Sequence, residues 1–280
     1  MDLPMYQDRY VEVGGKKIRY WEEGKGPAVV LVHGLAASAE FWLYNIEALA
    51  SLHRVVALDL LGFGRSGKEI GEFSLPYSAS FMVDFLDAVG LQQASLVGNS
   101  LGGLVCLQTA VDFPRRVDRL VLVDPAGFGR ELNPLLRLWS IPVAGSWVFW
   151  LCQRLFPRLR EWVYPGSDSI TKGWLLRAAE VLRTPGLREN VVRVARIGVN
   201  LRGQREELFR ELHEQLATMT VPTMIIWGKR DPIVPVAHAY VAQSLIPGSE
   251  VRIMEGCGHL PQLERPEEFN RLVLDFLGSA

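Results

Sequence analysis

The sequence predicts an α/β fold: a mostly parallel central sheet of about eight strands, helices on both faces, and an inserted helical cap. Three observations carry that expectation. Short continuous apolar runs such as Pro27–Val32 (PAVVLV) and Pro222–Trp227 (PTMIIW) have the pattern of strands buried on both faces. Helical periodicities lie between most of these runs. The alternation then fails between Gly127 and Thr220, where the composition also changes.

Arg9–Val13 and Lys17–Glu23 flank Gly14-Gly15 and read as a β-hairpin. Pro27–Val32 follows as a strand, Ala39–Leu52 as a helix and Arg54–Leu60 as a strand. Helix Tyr77–Val89, strand Ala94–Val97, helix Leu101–Phe113 and strand Val117–Val123 continue the pattern. After the break come Pro222–Trp227, helix Val236–Ser244, strand Glu250–Met254 and a closing helix, Pro266–Leu277. Pro266 suits a first helical turn, and Glu267 and Glu268 suit the positive end of the helix dipole. The implied organisation is a core in two parts, 1–126 and 221–280, interrupted by a helical cap at 127–220.

That insertion holds five of the eight tryptophans (Trp139, Trp147, Trp150, Trp162 and Trp174). It carries 13 Arg and 1 Lys against 8 Glu and 1 Asp, in a chain of net charge −1, so it is basic and the remainder acidic. Trp139, Trp147, Phe149 and Trp150 read first as packing between cap and core. The sharper reading is an apolar acyl site or a lipid contact. Arg154, Arg158 and Arg160 read as a solvated helix face.

With 280 residues, 49% hydrophobic and 22% charged, the chain reads as soluble and globular. It lacks the basic excess of a nucleic-acid binder. Cys106, Cys152 and Cys257 are an odd number without paired spacing, against a disulfide scaffold or zinc site and in keeping with a reducing compartment. The first residues show no basic region followed by an apolar one. The longest apolar stretch, Leu138–Cys152, falls short of the roughly 20 residues of a membrane span and contains Pro142 and Gly145. These features predict a cytoplasmic protein with no integral span, no cofactor, no metal and a small-molecule partner. Oligomeric state is open at this stage.

The chemistry centres on Leu96-Val97-Gly98-Asn99-Ser100-Leu101-Gly102-Gly103. Ser100 stands between a strand and a helix, and flanking glycines let the backbone turn sharply. This is the context of a Gly-x-Ser-x-Gly nucleophile elbow. A serine hydroxyl needs a base, and the base needs an orienting acid. Of five histidines, His53, His213 and His238 read as packing or solvated, and His33 as support for the loop after its strand. His259, in Glu255-Gly256-Cys257-Gly258-His259 after the last strand, remains as the base. Asp231, after PTMIIW, is the preferred acid and Asp124, after VDRLVLV, the runner-up. Asp59 reads as tying down its own loop.

With these residues in place, the chain resembles the α/β-hydrolase family over nearly its whole length, in its serine-nucleophile branch. His33-Gly34 looks like the family's oxyanion loop, Gly98 to Gly103 like its elbow, and Gly228-x-x-Asp231 and Gly258-His259 like its acid and base signatures. The resemblance implies a Ser100–His259–Asp231 triad, an oxyanion hole from the backbone N–H groups of Leu35 and Leu101, and substrate contacts at Gly34 and Asn99. Ser100 stands where haloalkane dehalogenases and epoxide hydrolases have a nucleophilic aspartate, which disfavours both activities. Asn99 is shared with many carbon–carbon bond hydrolases of aromatic ring-cleavage products. However, His33-Gly34-Leu35-Ala36 lacks their Gly-Pro extension, and Leu260 replaces their tryptophan. Hydrolysis of carboxylic esters with small to medium apolar acyl groups leads. A carbon–carbon bond hydrolase of meta-cleavage products and a non-catalytic ligand-binding protein are the alternatives. Gly62-Phe63-Gly64-Arg65-Ser66-Gly67 spells a dinucleotide fingerprint, but no amphipathic helix opens after it.

Overall fold

The computed structural model describes residues 4–71, 73–155 and 170–278. Eight strands form one sheet in the order β1-β2-β4-β3-β5-β6-β9-β10. They are β1 (Arg9–Val13), β2 (Lys16–Glu23), β3 (Ala28–Val32), β4 (Arg54–Leu58), β5 (Ala94–Asn99), β6 (Val117–Val123), β9 (Thr223–Gly228) and β10 (Glu250–Met254). Only β1–β2 and β2–β4 pair antiparallel; the other pairs are parallel.

The sheet is buried on both faces, and strand periodicity divides its side chains between them. In β3, Val30 and Val32 join the core on one face, while Val29 and Leu31 join the core on the other. The first face is covered by α2 (Leu75–Ala88) and α3 (Leu101–Asp112). The second is covered by α1 (Ile46–Ala50) and the C-terminal helix Pro266–Gly278.

The expected helix Ala39–Leu52 is broken into a 3-10 turn, Ala39–Trp42, and α1. Tertiary partners cause the break. Ala39 N–H donates to the buried Asp59 carboxylate at 2.7 Å, and Glu40 turns inward to Arg19. Arg19 is fully buried and also pairs with Asp59 and Asp8. The loop that spells a dinucleotide fingerprint wraps this cluster: Arg65 N–H donates to Asp59 at 2.7 Å and its guanidinium to Glu40 at 2.5 Å. The next helix begins only at Leu75.

Between β6 and β9 the described residues form helices joined by loops and a two-stranded ribbon, β7 (Val199–Asn200) and β8 (Gly203–Gln204). The helices are α4 (Pro134–Leu138), α5 (Ala144–Leu155), α6 (Lys172–Leu182), α7 (Leu187–Gly198) and α8 (Arg210–Leu216). Trp174 of α6 is fully buried, stacks edge-on against Phe41 and donates its indole N–H to Glu40 O at 3.1 Å. Asn190 of α7 donates to Gly62 O and Lys68 O. Both anchors grip loops that follow the carboxyl ends of β3 and β4. Arg154 lies over the Trp150 ring. Trp162, Arg158 and Arg160 lie outside the described residues. Among the described residues no helix is long and apolar enough to cross a membrane.

Candidate active site

Ser100 joins β5 to α3 with φ 55° and ψ −117°. A non-glycine residue with positive φ is strained by about 1–3 kcal/mol and persists only where its surroundings hold it. Here Ser100 N–H donates to Val123 O at 2.9 Å, and Ser100 O accepts from Leu104 and Ala126. Gly102 is required two residues on, because a Cβ there would collide with the carbonyl oxygens of Val32 and His33. The elbow thus packs against the end of β3.

The candidate acid and base come from neighbouring parallel strands. β9 leads into the Asp231 loop and β10 into the His259 loop. The two loops touch backbone to backbone at Gly228, where an added Cβ would strike Gly258 O. Arg230 N–H donates to Cys257 O at 2.8 Å, which fixes their register. The Asp231 side chain is fully buried. Its Oδ1 accepts from Ile233 and Val234 N–H, and its Oδ2 meets His259 Nδ1 at 2.7 Å. A carboxylate on Nδ1 fixes the tautomer and leaves Nε2 as the basic nitrogen.

Gly34, Leu35, Asn99, Ser100, Leu101 and His259 all line one cavity of about 520 Å³. Asp231 stands behind His259. Leu101 is the first residue of α3, so its N–H has no acceptor within the helix. Asn99 does more than face the cavity: its Nδ2 donates to Val123 O at 3.1 Å and to His259 O at 3.2 Å. It ties the base loop to the nucleophile strand. His33 is buried, with Nδ1 against Gly34 O at 2.8 Å and Nε2 accepting from Leu60 N–H at 3.0 Å. Burial pushes its pKa down to about 4, so the neutral ring holds the Gly34-Leu35 loop at pH 7.

The remaining histidines, His53, His213 and His238, do not line the cavity. His213 stacks on Phe128 and meets Gly127 O, and His238 meets Glu131. Among the described residues, Asp124, Asp231 and His259 form the one group close enough to share a metal ion. The Asp231 oxygens are already committed to two N–H groups and the imidazole, which makes this a hydrogen-bonded cluster.

The α3 side of the cavity could not be read in advance. Leu101, Leu104, Gln108 and Asp112 lie along one side of α3, so the cavity follows that helix for about 16 Å at 1.5 Å per residue. Trp139 and Phe149 from the insertion close the opposite side, their rings edge-to-face at 5.0 Å. The exposed Asp112 and Glu211 also border the cavity, whereas no Lys or Arg does among the described residues.

A strand-turn-helix serine, a histidine held by a buried carboxylate, and a cavity roofed by an insertion together define an α/β-hydrolase. The chain belongs to that family: the α/β-hydrolase fold matches residues 27–266. It is 33% identical over 280 residues to the 2-hydroxy-6-oxo-6-(2'-aminophenyl)hexa-2,4-dienoic acid hydrolase of Metapseudomonas resinovorans, covering 97% of this chain and 91% of that one. Among solved structures, a bacterial membrane phospholipase A superposes with a TM-score of 0.79 at 27% identity, over 97% of this chain and 86% of that one. The meta-cleavage product hydrolase of Pseudomonas fluorescens IP01 superposes at 0.78 with 26% identity, over 96% and 97%.

Proposed function

We propose that the protein is a serine hydrolase that cleaves uncharged carboxylic esters through an acyl-enzyme. His259 Nε2 takes the Ser100 proton as the hydroxyl oxygen attacks the ester carbonyl. Asp231 holds the imidazole and stabilises the imidazolium that forms. The N–H groups of Leu35 and Leu101 receive the oxyanion; each such donor contributes about 3–4 kcal/mol to the transition state. His259 then protonates the departing alkoxide. Water, deprotonated by the same nitrogen, attacks the acyl carbon and releases the acid. Residues 127–220 act as a cap whose Trp139 and Phe149 keep bulk water from the acyl-enzyme.

The observation that carries this reading is the 2.7 Å Asp231–His259 contact beside a strained serine in one apolar cavity. The cavity wall also favours esters over the dienoic acids named for the relatives. Those substrates carry a carboxylate, and a desolvated carboxylate requires a cation or several donors. This cavity offers no Lys or Arg among the described residues and has two carboxylates at its border. The test pairs a series of p-nitrophenyl esters with a vinylogous dienoic acid. Saturable turnover of the esters, lost in Ser100→Ala, with little turnover of the acid is the expected result. Stoichiometric labelling of Ser100 by a fluorophosphonate with no ester turnover would point instead to a ligand-binding protein. Preferred turnover of the dienoic acid would make it a carbon–carbon hydrolase.

A further inference from the structure

Asp124 follows β6, one strand away from the Asp231 loop, and the proposed triad leaves it without a role. It is fully buried. Its backbone sits at φ 43°, a conformation unusual outside glycine and tolerated best by Asp and Asn. Its Oδ1 accepts from Gly228 N–H at 2.8 Å. Its Oδ2 is buried and receives no hydrogen bond. The carboxyl oxygens of Asp124 and Asp231 and a ring nitrogen of His259 lie within 4.8 Å of one another.

Two carboxylates this close in a buried site cannot both stay ionised without a compensating cation. The other titratable groups facing Asp124 are Glu264, Cys257 and His259. Glu264, on the short helix Pro261–Glu264, is acidic and accepts from Gly258 and Leu260 N–H. Cys257 remains a neutral thiol, pushed up to about 12 mainly by burial. His259 is engaged by Asp231. Burial, followed by the negative charge of Asp231, holds the Asp124 carboxyl well above the usual carboxylate range. Asp231 is the stronger acceptor of the two, since it already accepts from two backbone N–H groups and the imidazole.

We infer that Asp124 is a positioning residue, held as a neutral carboxylic acid whose O–H donates to the Asp231 carboxylate and so fixes the acid that orients His259. This rests on the triad reading above. It explains the unpaired Oδ2, which is a donor in a site where an acceptor would be stranded. It also explains why an ionisable side chain is compatible with such deep burial: the proton is retained and used as a hydrogen bond.

The test compares Asp124→Asn with Asp124→Ala. Asparagine suits the positive φ and keeps one N–H donor toward Asp231, while alanine removes the donor. Asp124→Asn is expected to hold kcat/KM within about threefold of the parent; Asp124→Ala is expected to lower kcat by about 10- to 100-fold with KM little changed. With no donor on Asp231, more of its charge falls on the imidazole, so the acid limb of the kcat/KM profile moves to higher pH in Asp124→Ala and stays in place in Asp124→Asn. Equal damage in both variants would overturn the inference, because the carboxylate itself would then be required. So would an Asp124→Ala enzyme with parental rate and profile. Infrared difference spectroscopy on the intact parent and Asp124→Asn gives an answer that needs no turnover and no alanine variant. A protonated-carboxyl C=O band at pH 7 that vanishes in Asp124→Asn supports the inference; its absence from the parent refutes it. That readout separates failure of this inference from failure of the esterase reading.

Discussion

The sheet and the insertion hold their functional residues by different means. In the sheet, Ser100, Asp231 and His259 are pinned by backbone hydrogen bonds, a strained turn and loops in direct contact. In the insertion, the cavity-lining side chains Trp139 and Phe149 are held mainly by ring packing, and Trp147 on the same helix as Phe149 is 67% exposed. In the proposed reaction, the first region fixes the reacting atoms and the second the shape and polarity of what reaches them. Substitutions in the sheet should therefore act on kcat, and substitutions in the insertion on KM and chain-length preference.

The largest effect expected is that of Ser100→Ala, which should lower kcat by about 10⁵- to 10⁶-fold without changing the thermal midpoint downward. Asp231→Asn should lower kcat by about 10⁴-fold through the wrong imidazole tautomer. If Asp231→Asn stays active while Asp124→Asn is dead, the two carboxyls have exchanged roles. On the insertion side, Phe149→Ala opens a void in a side chain only 2% exposed and should cost about 3–5 kcal/mol of stability while raising KM for long acyl esters. A comparable fall in its kcat would erase the distinction between the two regions.

A pH effect sharpens the same contrast. Unfolded, the His33 imidazole takes a proton below about 6.5; folded, it does so only near pH 4. The unfolded chain therefore binds more protons across that window. Stability falls as pH drops from 6.5 to 4, by about 3 kcal/mol in total. Urea unfolding across this range should show that slope, flattened in His33→Asn. The smallest effect belongs to Trp147→Ser, which should stay within about 0.5 kcal/mol and leave ester kinetics unchanged.

The four strand-end signatures were legible because each depends on local rules: a strand, a small residue for a tight turn, and a reactive side chain at the carboxyl edge. All four fall where those rules put them, and the sheet comes out with eight strands. What the sequence hid depends on distant partners. Nothing near Ala39 says that its N–H will be taken by Asp59 or that Glu40 will turn in to Arg19, yet these contacts split the expected helix. The role of Asn99 also needed coordinates, since its amide meets a carbonyl 160 positions away. The cavity wall along α3 was equally unreadable, because nothing local to Gln108 and Asp112 shows that they border a cavity.

Gly228 has a consequence for how this protein can change. Acid and base arrive on separate loops, and the spacing between them is set by a missing methyl group. Any side chain at that position must wedge the loops apart and pull Asp231 away from His259, however conservative it looks on a substitution matrix. Substitutions that retune the substrate are thus expected in the roof, because the seam beneath it has no room for a side chain.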